Sequence, residues 1–248
     1  MDVSVCILTK NESEMITDCI KSVLALEPKE IIVIDDNSLD ATVDKSRHLG
    51  AKVFTYTKKN FADARNYGLS KARGKFLLYI DADERLSKDL VDEIRQTLAT
   101  SSAKAFRLHR KNYYLGKPWP KEEYLERLFI KESLTKWYGE VHESPIVQGT
   151  TESLSGFLLH YTHRNLKEMI ENTLAWSKIE AELRFRAHHP PVVWWRFPRV
   201  MVTVFFNYYF TQGGWKVGTV GLIESMYQAF SIFITYARLW EMQQKLPS

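Results

Sequence analysis

Apolar and polar positions alternate in blocks along the first hundred residues. Val3–Leu8 is an almost continuous apolar run and predicts a strand buried on both faces. Asn11–Leu26 carries Met15, Ile16, Ile20, Val23 and Leu24 at helical spacing. Glu30–Ile34 predicts a second strand, stopped by Asp35-Asp36-Asn37-Ser38. A helix is expected from about Ala41 to Leu49, with Gly50 where a C′ glycine belongs. Val53–Tyr56 predicts a third strand, Phe61–Ala72 a helix ended by Gly74, and Lys75–Ile80 a fourth strand, stopped by Asp81-Ala82-Asp83-Glu84. Ser87–Thr100 predicts the next helix. From about Ala105 to Tyr161 the pattern changes to short strands and loops, and after Asn165 it becomes helical.

Strand–helix alternation with short connections predicts a doubly wound α/β sheet with right-handed crossovers. Ligands of such sheets bind outside the carboxyl ends of the strands. Three polar clusters follow strands: Thr9–Glu12, Asp35–Asp40 and Asp81–Glu84. All three are expected on one rim. The chain divides at about residue 165 into this α/β domain, 1–165, and a helical region, 166–248.

Composition narrows the class. The chain has 248 residues, 45% hydrophobic and 26% charged, which excludes disorder and a disulfide-stapled scaffold. A net charge of +4, without a block of basic residues, gives no indication of nucleic-acid binding. Cys6 and Cys19 lack metal-ligand spacing and are expected to be buried, reduced thiols. The start of the chain has no basic segment followed by an apolar stretch, so no signal peptide is expected and the active face is placed in the cytosol.

Asp81-x-Asp83 is the sharpest chemical signal. Two carboxylates at a strand end suit a hard divalent cation that also holds phosphates. A helix N-cap with acidic first-turn residues accounts for the same pattern. Asp35 and Asp36 are candidates for a nucleotide base or ribose, with Asp40 capping the following helix. Thr9 and Asn11 are either ligand contacts or caps. No G-x-G-x-x-G follows the first strand, and neither a phosphate-binding loop of the G-x-x-x-x-G-K-[ST] type nor a G-x-S-x-G elbow occurs.

Four ordered stretches carry a resemblance. They are Ser4–Glu12, Ile34–Thr42, Ala64-Arg65-Asn66-Tyr67-Gly68 and Asp81-Ala82-Asp83. Over residues 3–100 the chain resembles family-2 glycosyltransferases of the GT-A fold, a doubly wound, Rossmann-like mixed sheet. The resemblance implies a nucleotide-sugar donor, usually a uridine diphosphate sugar, a Mg²⁺ or Mn²⁺ ion, and inversion at the anomeric carbon. It places Thr9, Asn11 and Glu12 in the nucleotide-sugar pocket, Asp35 or Asp36 on the base, Arg65 by the base or diphosphate, and Asp81 with Ala82 by the ribose. Asp83 is the implied metal ligand, with Asp81 beside it.

Trp137-Tyr138-Gly139-Glu140-Val141-His142-Glu143 is similar to an element of the branch that includes lipopolysaccharide inner-core glucosyltransferases. It implies a hexose such as glucose as the donor sugar and a lipid-linked glycan acceptor. Inversion needs a base at the acceptor hydroxyl, and Glu143 is the first choice and Glu140 the second. A strand end with an ordinary salt bridge is the competing account. His142 and His160 are candidates to complete a metal site, His160 being equally readable as a structural histidine.

Nearly half of the aromatic residues lie beyond residue 190, with Arg184, Arg186, Arg196 and Arg199 before or among them. Val200–Thr211 is too short to span a bilayer, so the segment is expected to lie in the interface at the cytoplasmic face of a bacterial inner membrane. The alternative is that these helices pack on the α/β core or on a second subunit, giving a homo-oligomer. Two rival functions remain: an aspartate-nucleophile phosphatase, and a non-catalytic, membrane-bound nucleotide-sugar binding protein.

Overall fold

A computed structural model describes residues 1–140 and 143–244. Strands β1 (Val3–Thr9), β2 (Glu30–Asp35), β3 (Lys52–Thr55) and β4 (Phe76–Asp81) run parallel in the order β3-β2-β1-β4. Helices α1 (Ile16–Leu24), α2 (Thr42–His48) and α3 (Phe61–Lys71) connect them. Then come β5 (Glu84–Leu86), α4 (Lys88–Thr100), β6 (Ala105–Tyr114), β7 (Lys117–Pro118) and β8 (Glu123–Ile130). Strands β9 (Leu134–Tyr138), β10 (Ser144–Val147) and β11 (Thr151–Thr162) precede α5 (Leu166–Arg186), α6 (Arg196–Phe206) and α7 (Thr219–Gln244). The main sheet continues past β4 as β8-β6-β11-β5, with β8 antiparallel to β4 and β5 antiparallel to β11. Strands β9 and β10 form a separate antiparallel pair.

Every residue of β1 and β2 is buried, as expected for parallel strands covered on both faces. Strand alternation splits their side chains between two cores. Val5, Ile7 and Val33 join Ile16, Ile20, Leu90 and Ile94 on one side. Cys6, Leu8 and Ile32 join Ala64, Tyr79 and Trp137 on the other. Cys6 and Cys19 are free and buried, and burial pushes the Cys6 thiol up to about 12.

Three local expectations change. Helix α1 starts at Ile16 rather than Asn11, because Asn11 adopts φ 52° and the Glu12 carbonyl closes a turn onto the Met15 and Ile16 N–H groups. Neither Thr9 nor Asn11 caps that helix, whose N-cap, Met15, has no side-chain bond. Helix α3 ends at Lys71, before Gly74, which is a close-approach glycine: a Cβ there would lie 2.6 Å from the Ser4 backbone nitrogen. Gly50, at φ 85°, does occupy the left-handed position after α2. The 105–162 region holds strands of ten and twelve residues rather than only short ones, and the pairs Arg107–Glu126 and Arg110–Glu123 link β6 to β8.

The chain forms two compact units: residues 1–111 with 122–160, and residues 112–121 with 161 onward. Residues 112–121 thus group with the helical unit, although they precede residue 165 in sequence. In that unit α5 and α6 each pack on α7 around Ala181, Val192, Tyr236 and Leu239. Among the described residues, no helix is long and apolar enough to cross a membrane.

Gly156 on β11 lies against the start of α4. An added Cβ would sit 2.5 Å from Leu90 Cα and 2.6 Å from its nitrogen. Gly156→Ala is expected to cost about 2–3 kcal/mol. Gly50→Ala, with open space but positive φ, should cost about 1 kcal/mol. Urea unfolding of both variants checks the order; an equal or milder effect at Gly156 contradicts the packing account.

Candidate active site

Register brings the polar clusters to one edge. Thr9, the last residue of β1, pairs with Asp35, the last of β2, and Leu8 pairs with Asp81, the last of β4. The first two loops are then tied together. Asn11 N–H donates to Ser38 Oγ at 2.8 Å, and Leu39 N–H donates to Asn11 Oδ1 at 2.7 Å. Glu12 N–H donates to Thr42 Oγ1 at 2.8 Å. Asp40 accepts from the N–H groups of Ser13 and Thr42, both at 3.0 Å. Burial opposes ionisation of Asp40, but these bonds outweigh it and hold its carboxyl at about 2. Asp40 therefore serves the first turn of α2 and clamps the neighbouring loop as well.

The two aspartates after β2 differ. Asp36 lies 3.0 Å from Lys10 Nζ and 3.6 Å from Lys58 Nζ. Asp35 is buried; its Oδ2 accepts from Ser38 N–H at 3.0 Å, while its Oδ1 has no partner. Thr9 Oγ1, on the adjacent strand, is likewise buried and unpartnered. Buried polar atoms are nearly always satisfied, so these two open oxygens on adjacent strand ends can take a partner from water or from a ligand.

Arg65 organises the next part. It projects from α3, 1% exposed. Its Nη2 donates to Asp81 Oδ1 at 3.1 Å, and its Nε donates to Glu143 Oε1 at 3.0 Å. Arg127, on β8, donates from Nη2 to Asp81 Oδ2 at 3.1 Å and places Nη1 4.0 Å from Glu143. Both Asp81 oxygens are therefore held by guanidinium groups. Burial disfavours the Asp81 charge, but Arg65 and Arg127 overcome it and hold the carboxyl far below the usual range. Burial likewise disfavours the Arg65 cation, and Asp81 and Glu143 outweigh it. The Asp81 N–H donates to Glu84 Oε2 at 2.9 Å. Glu84 is fully buried and pairs with Arg110 at 3.4 Å.

Asn66, the next residue on α3, fixes β9. Its amide donates to Trp137 O at 2.9 Å and accepts from Trp137 N–H at 2.8 Å. The two neighbours Arg65 and Asn66 thus hold Glu143 and Trp137 beside the Asp81 edge. Glu140 is exposed, on the bend after β9. His142 lies outside the described residues.

Asp83 has a different setting from Asp81. Its Oδ2 lies 3.2 Å from His160 Nε2 at the end of β11. Burial opposes protonation of His160, but Asp83 overcomes it and raises its pKa. Neither aspartate is an N-cap: Ser87 caps α4, accepting from Leu90 N–H at 3.2 Å. Ala82 is buried between them, its N–H bonded to Leu8 O and its carbonyl accepting from Arg85. Asp83 and His160 fit a Mg²⁺ or Mn²⁺ ion that takes its other ligands from phosphate and water. Among the described residues, no cluster of three or more His, Cys, Asp or Glu side chains could hold a metal alone.

Sequence reasoning missed Arg127, Arg110 and Lys58. The available signal for Arg127 was a lone arginine beside Leu128 and Phe129 in a strand that is otherwise apolar at that end.

A parallel half-sheet with an acidic carboxyl edge, extended by antiparallel strands that return to that edge, is the GT-A architecture of glycosyltransferases. The chain belongs to glycosyl transferase family 2, whose family model matches residues 4–149. The lipopolysaccharide core biosynthesis glycosyltransferase LpsC of Rhizobium meliloti is 27% identical, covering 97% of this chain and 93% of that protein. The Pyrobaculum calidifontis mannosyltransferase PcManGT, solved with GDP-Man and Mn²⁺, has a TM-score of 0.57 at 13% identity, covering 97% of this chain and 87% of that one. Glucosyl-3-phosphoglycerate synthase from Mycobacterium tuberculosis, solved with Mn²⁺, UDP and glucosyl-3-phosphoglycerate, has a TM-score of 0.50 at 18% identity, covering 76% of this chain and 80% of that one. The protein is a glycosyltransferase, and family membership sets aside the phosphatase.

The Asp81 pairing has a signed pH consequence. Its folded pKa is depressed, so its stabilisation is complete above the unfolded value of about 3.9 and is lost as pH falls through the folded one. Asp81→Asn should therefore cost stability at pH 6, and the cost should shrink below about pH 4. Arg65→Met, which leaves Arg127 alone to compensate Asp81 and Glu143, should cost about 3 kcal/mol at neutral pH. Chemical unfolding from acid to neutral pH tests both; a pH-independent Asp81→Asn penalty contradicts the pairing.

Proposed function

We propose that the protein transfers a hexose such as glucose from a UDP-sugar to a lipid-linked glycan of the lipopolysaccharide-core type, with inversion. On this reading residues 1–165 are catalytic and 166–248 form a helical region at the cytoplasmic face of the bacterial inner membrane. The observation that carries it is the single edge on which unpartnered Thr9 Oγ1 and Asp35 Oδ1, the arginine-locked Asp81 and Glu143, and the Asp83–His160 pair stand together. The LpsC relative supports the acceptor class. The nucleotide and Mn²⁺ in the two solved relatives support the donor and metal classes.

Asp35 accepts from the base, and Asp36, held by Lys10 and Lys58, shapes the loop beside it. Thr9, Asn11 and Glu12 line the nucleotide side, and Ala82 brings backbone close to the ribose near Asp81. Arg65 and Arg127 keep Asp81 ionised and fixed, which leaves Asp83 and His160 to hold the divalent cation, with His142 a further candidate. When bound, that ion neutralises charge on the departing diphosphate. Glu143 takes the acceptor hydroxyl proton while the acceptor oxygen bonds to the anomeric carbon from the face opposite the diphosphate and the carbon–phosphate-oxygen bond breaks. Glu140 is the second choice for this role.

A nucleotide-sugar screen by thermal unfolding tests the donor. At a hundredfold excess over Kd, the matching UDP-sugar with Mn²⁺ should raise Tm by about 5–10 °C. Asp83→Asn should remove the Mn²⁺-dependent part of that shift and abolish turnover, while Tm without ligand stays near wild type. Glu143→Gln should lower kcat by about 10²–10⁴-fold with little change in donor affinity. A normal kcat for Glu143→Gln transfers the base to Glu140. A thermal shift without donor hydrolysis favours the binding-protein rival, and the absence of any shift with every nucleotide sugar contradicts the donor reading.

A further inference from the structure

The helical unit exposes an apolar face among the described residues. Helix α6 turns Phe197 and Val200 toward α7, with Phe197 and Phe233 rings 5.6 Å apart. Its opposite side exposes Trp195, Val202, Phe206 and Phe210, continued through the π turn at Asn207–Thr211. Their span, from residue 195 to 210, is about 22 Å of helix. Helix α7 exposes Leu222, Met226 and Phe230 at four-residue intervals. Trp194, just before α6, is 81% exposed. Contiguous exposed apolar surface of this kind marks an interaction site.

Charge selects the partner. Between Glu182 and Glu224 the chain has no acidic residue, yet it holds Arg184, Arg186, Arg196, Arg199 and Lys216. Arg196 and Arg199 lie over the Trp195 ring, at 5.6 and 5.7 Å. Among the described residues no carboxylate pairs with either, and Arg196 Nε is buried without a partner. Both line a cavity of about 290 Å³ between α6 and α7, walled by Val200, Val204 and Ile232, with Tyr236 at its side. An arginine pair over an apolar cleft, beside exposed tryptophans, has the chemistry of a lipid interface: a phosphate at the cations and acyl carbon below.

We propose that the outer face of α6 and α7 docks on an anionic phospholipid surface, with Arg196 and Arg199 taking a headgroup phosphate at the mouth of the α6–α7 cleft. It deepens the membrane part of the proposed function by naming the partner and the surface. The helices lie on the bilayer and do not span it, consistent with the absence of a helix long and apolar enough to cross among the described residues.

The full chain should co-sediment with phosphatidylcholine vesicles containing about 30% phosphatidylglycerol, and markedly less with phosphatidylcholine alone. Raising NaCl to about 0.5 M should weaken binding without abolishing it, because screening removes the ionic part and leaves the apolar part. Arg196→Gln with Arg199→Gln should weaken vesicle binding by about 25-fold. Phe206→Ser with Met226→Ser should weaken it at every salt concentration. Both double variants should keep the wild-type Tm, since all four side chains lie at the surface or a cleft mouth. No sedimentation with the anionic vesicles, or unchanged binding after removing both arginines, overturns the proposal. So does a dimer seen by light scattering that Phe206→Ser with Met226→Ser dissolves while vesicle binding is absent, since a second copy would then cover the face. Donor hydrolysis without vesicles is measured alongside: its loss with vesicle binding intact rejects the transfer reading alone.

Discussion

A buried guanidinium is the constraint on which the catalytic unit depends. Arg65 is removed from water, and an uncompensated charge there would cost several kcal/mol. Compensation comes from Asp81 at the end of β4 and Glu143 beyond β9, residues far apart in sequence. Satisfying one cation therefore fixes α3, a central strand edge and the stretch that carries the proposed base. The residues around Arg65 serve the same end. Asn66 bonds both backbone groups of Trp137, and Gly68 lets α3 lie against β1, where a Cβ would meet Cys6 Sγ at 2.3 Å. The Ala64–Gly68 motif is thus one mechanical unit: a close-packing face, a charge and a clamp.

The sheet edge was legible in the sequence because topology alone delivers it. Parallel strands buried on both faces appear as apolar runs, and their carboxyl ends must share an edge. Thr9, Asp35 and Asp81 needed no knowledge of distant residues to be placed there. The partners that set their chemistry were not legible. Arg127 reaches Asp81 from an antiparallel strand, and only the β4–β8 register brings it there. The difference between Asp35 and Asp36 was not legible either: Lys10 and Lys58 pair with Asp36, while Asp35 keeps one oxygen open. The caps assigned to Thr9 and Asn11 failed for a related reason. Asn11 spends its side chain and N–H on the neighbouring loop, an interaction that local sequence cannot encode.

Asp81 and Asp83 show how two like groups acquire unlike tasks. Two positions apart on a strand end and turn, they meet different neighbours. Asp81 faces two permanent cations and stays ionised across the working pH range. Asp83 faces an imidazole, a partner that can be neutral and can share a metal ion. Environment, not residue type, divides the anchoring of Asp81 from the metal role proposed for Asp83.

The helical unit distributes polarity in the opposite sense from the catalytic one. Helix α7 buries Glu224, Ser225 and Thr235, and α5 buries Thr173 and Ser177. Glu224 is satisfied by His163 at 2.9 Å and Gln228 at 2.8 Å, and Thr173 by Tyr227 at 2.9 Å. Outside, α5 shows Leu166, Ile170 and Leu174 at helical spacing, and α7 shows Leu222, Met226 and Phe230. A helix pair driven together by apolar burial in water would place these stripes inside. Here an apolar seam around Ala181, Val192, Tyr236 and Leu239 and the hydrogen bonds together join the helices, and further apolar stripes remain on the outside. Those exposed stripes are the surface on which the proposed lipid docking rests.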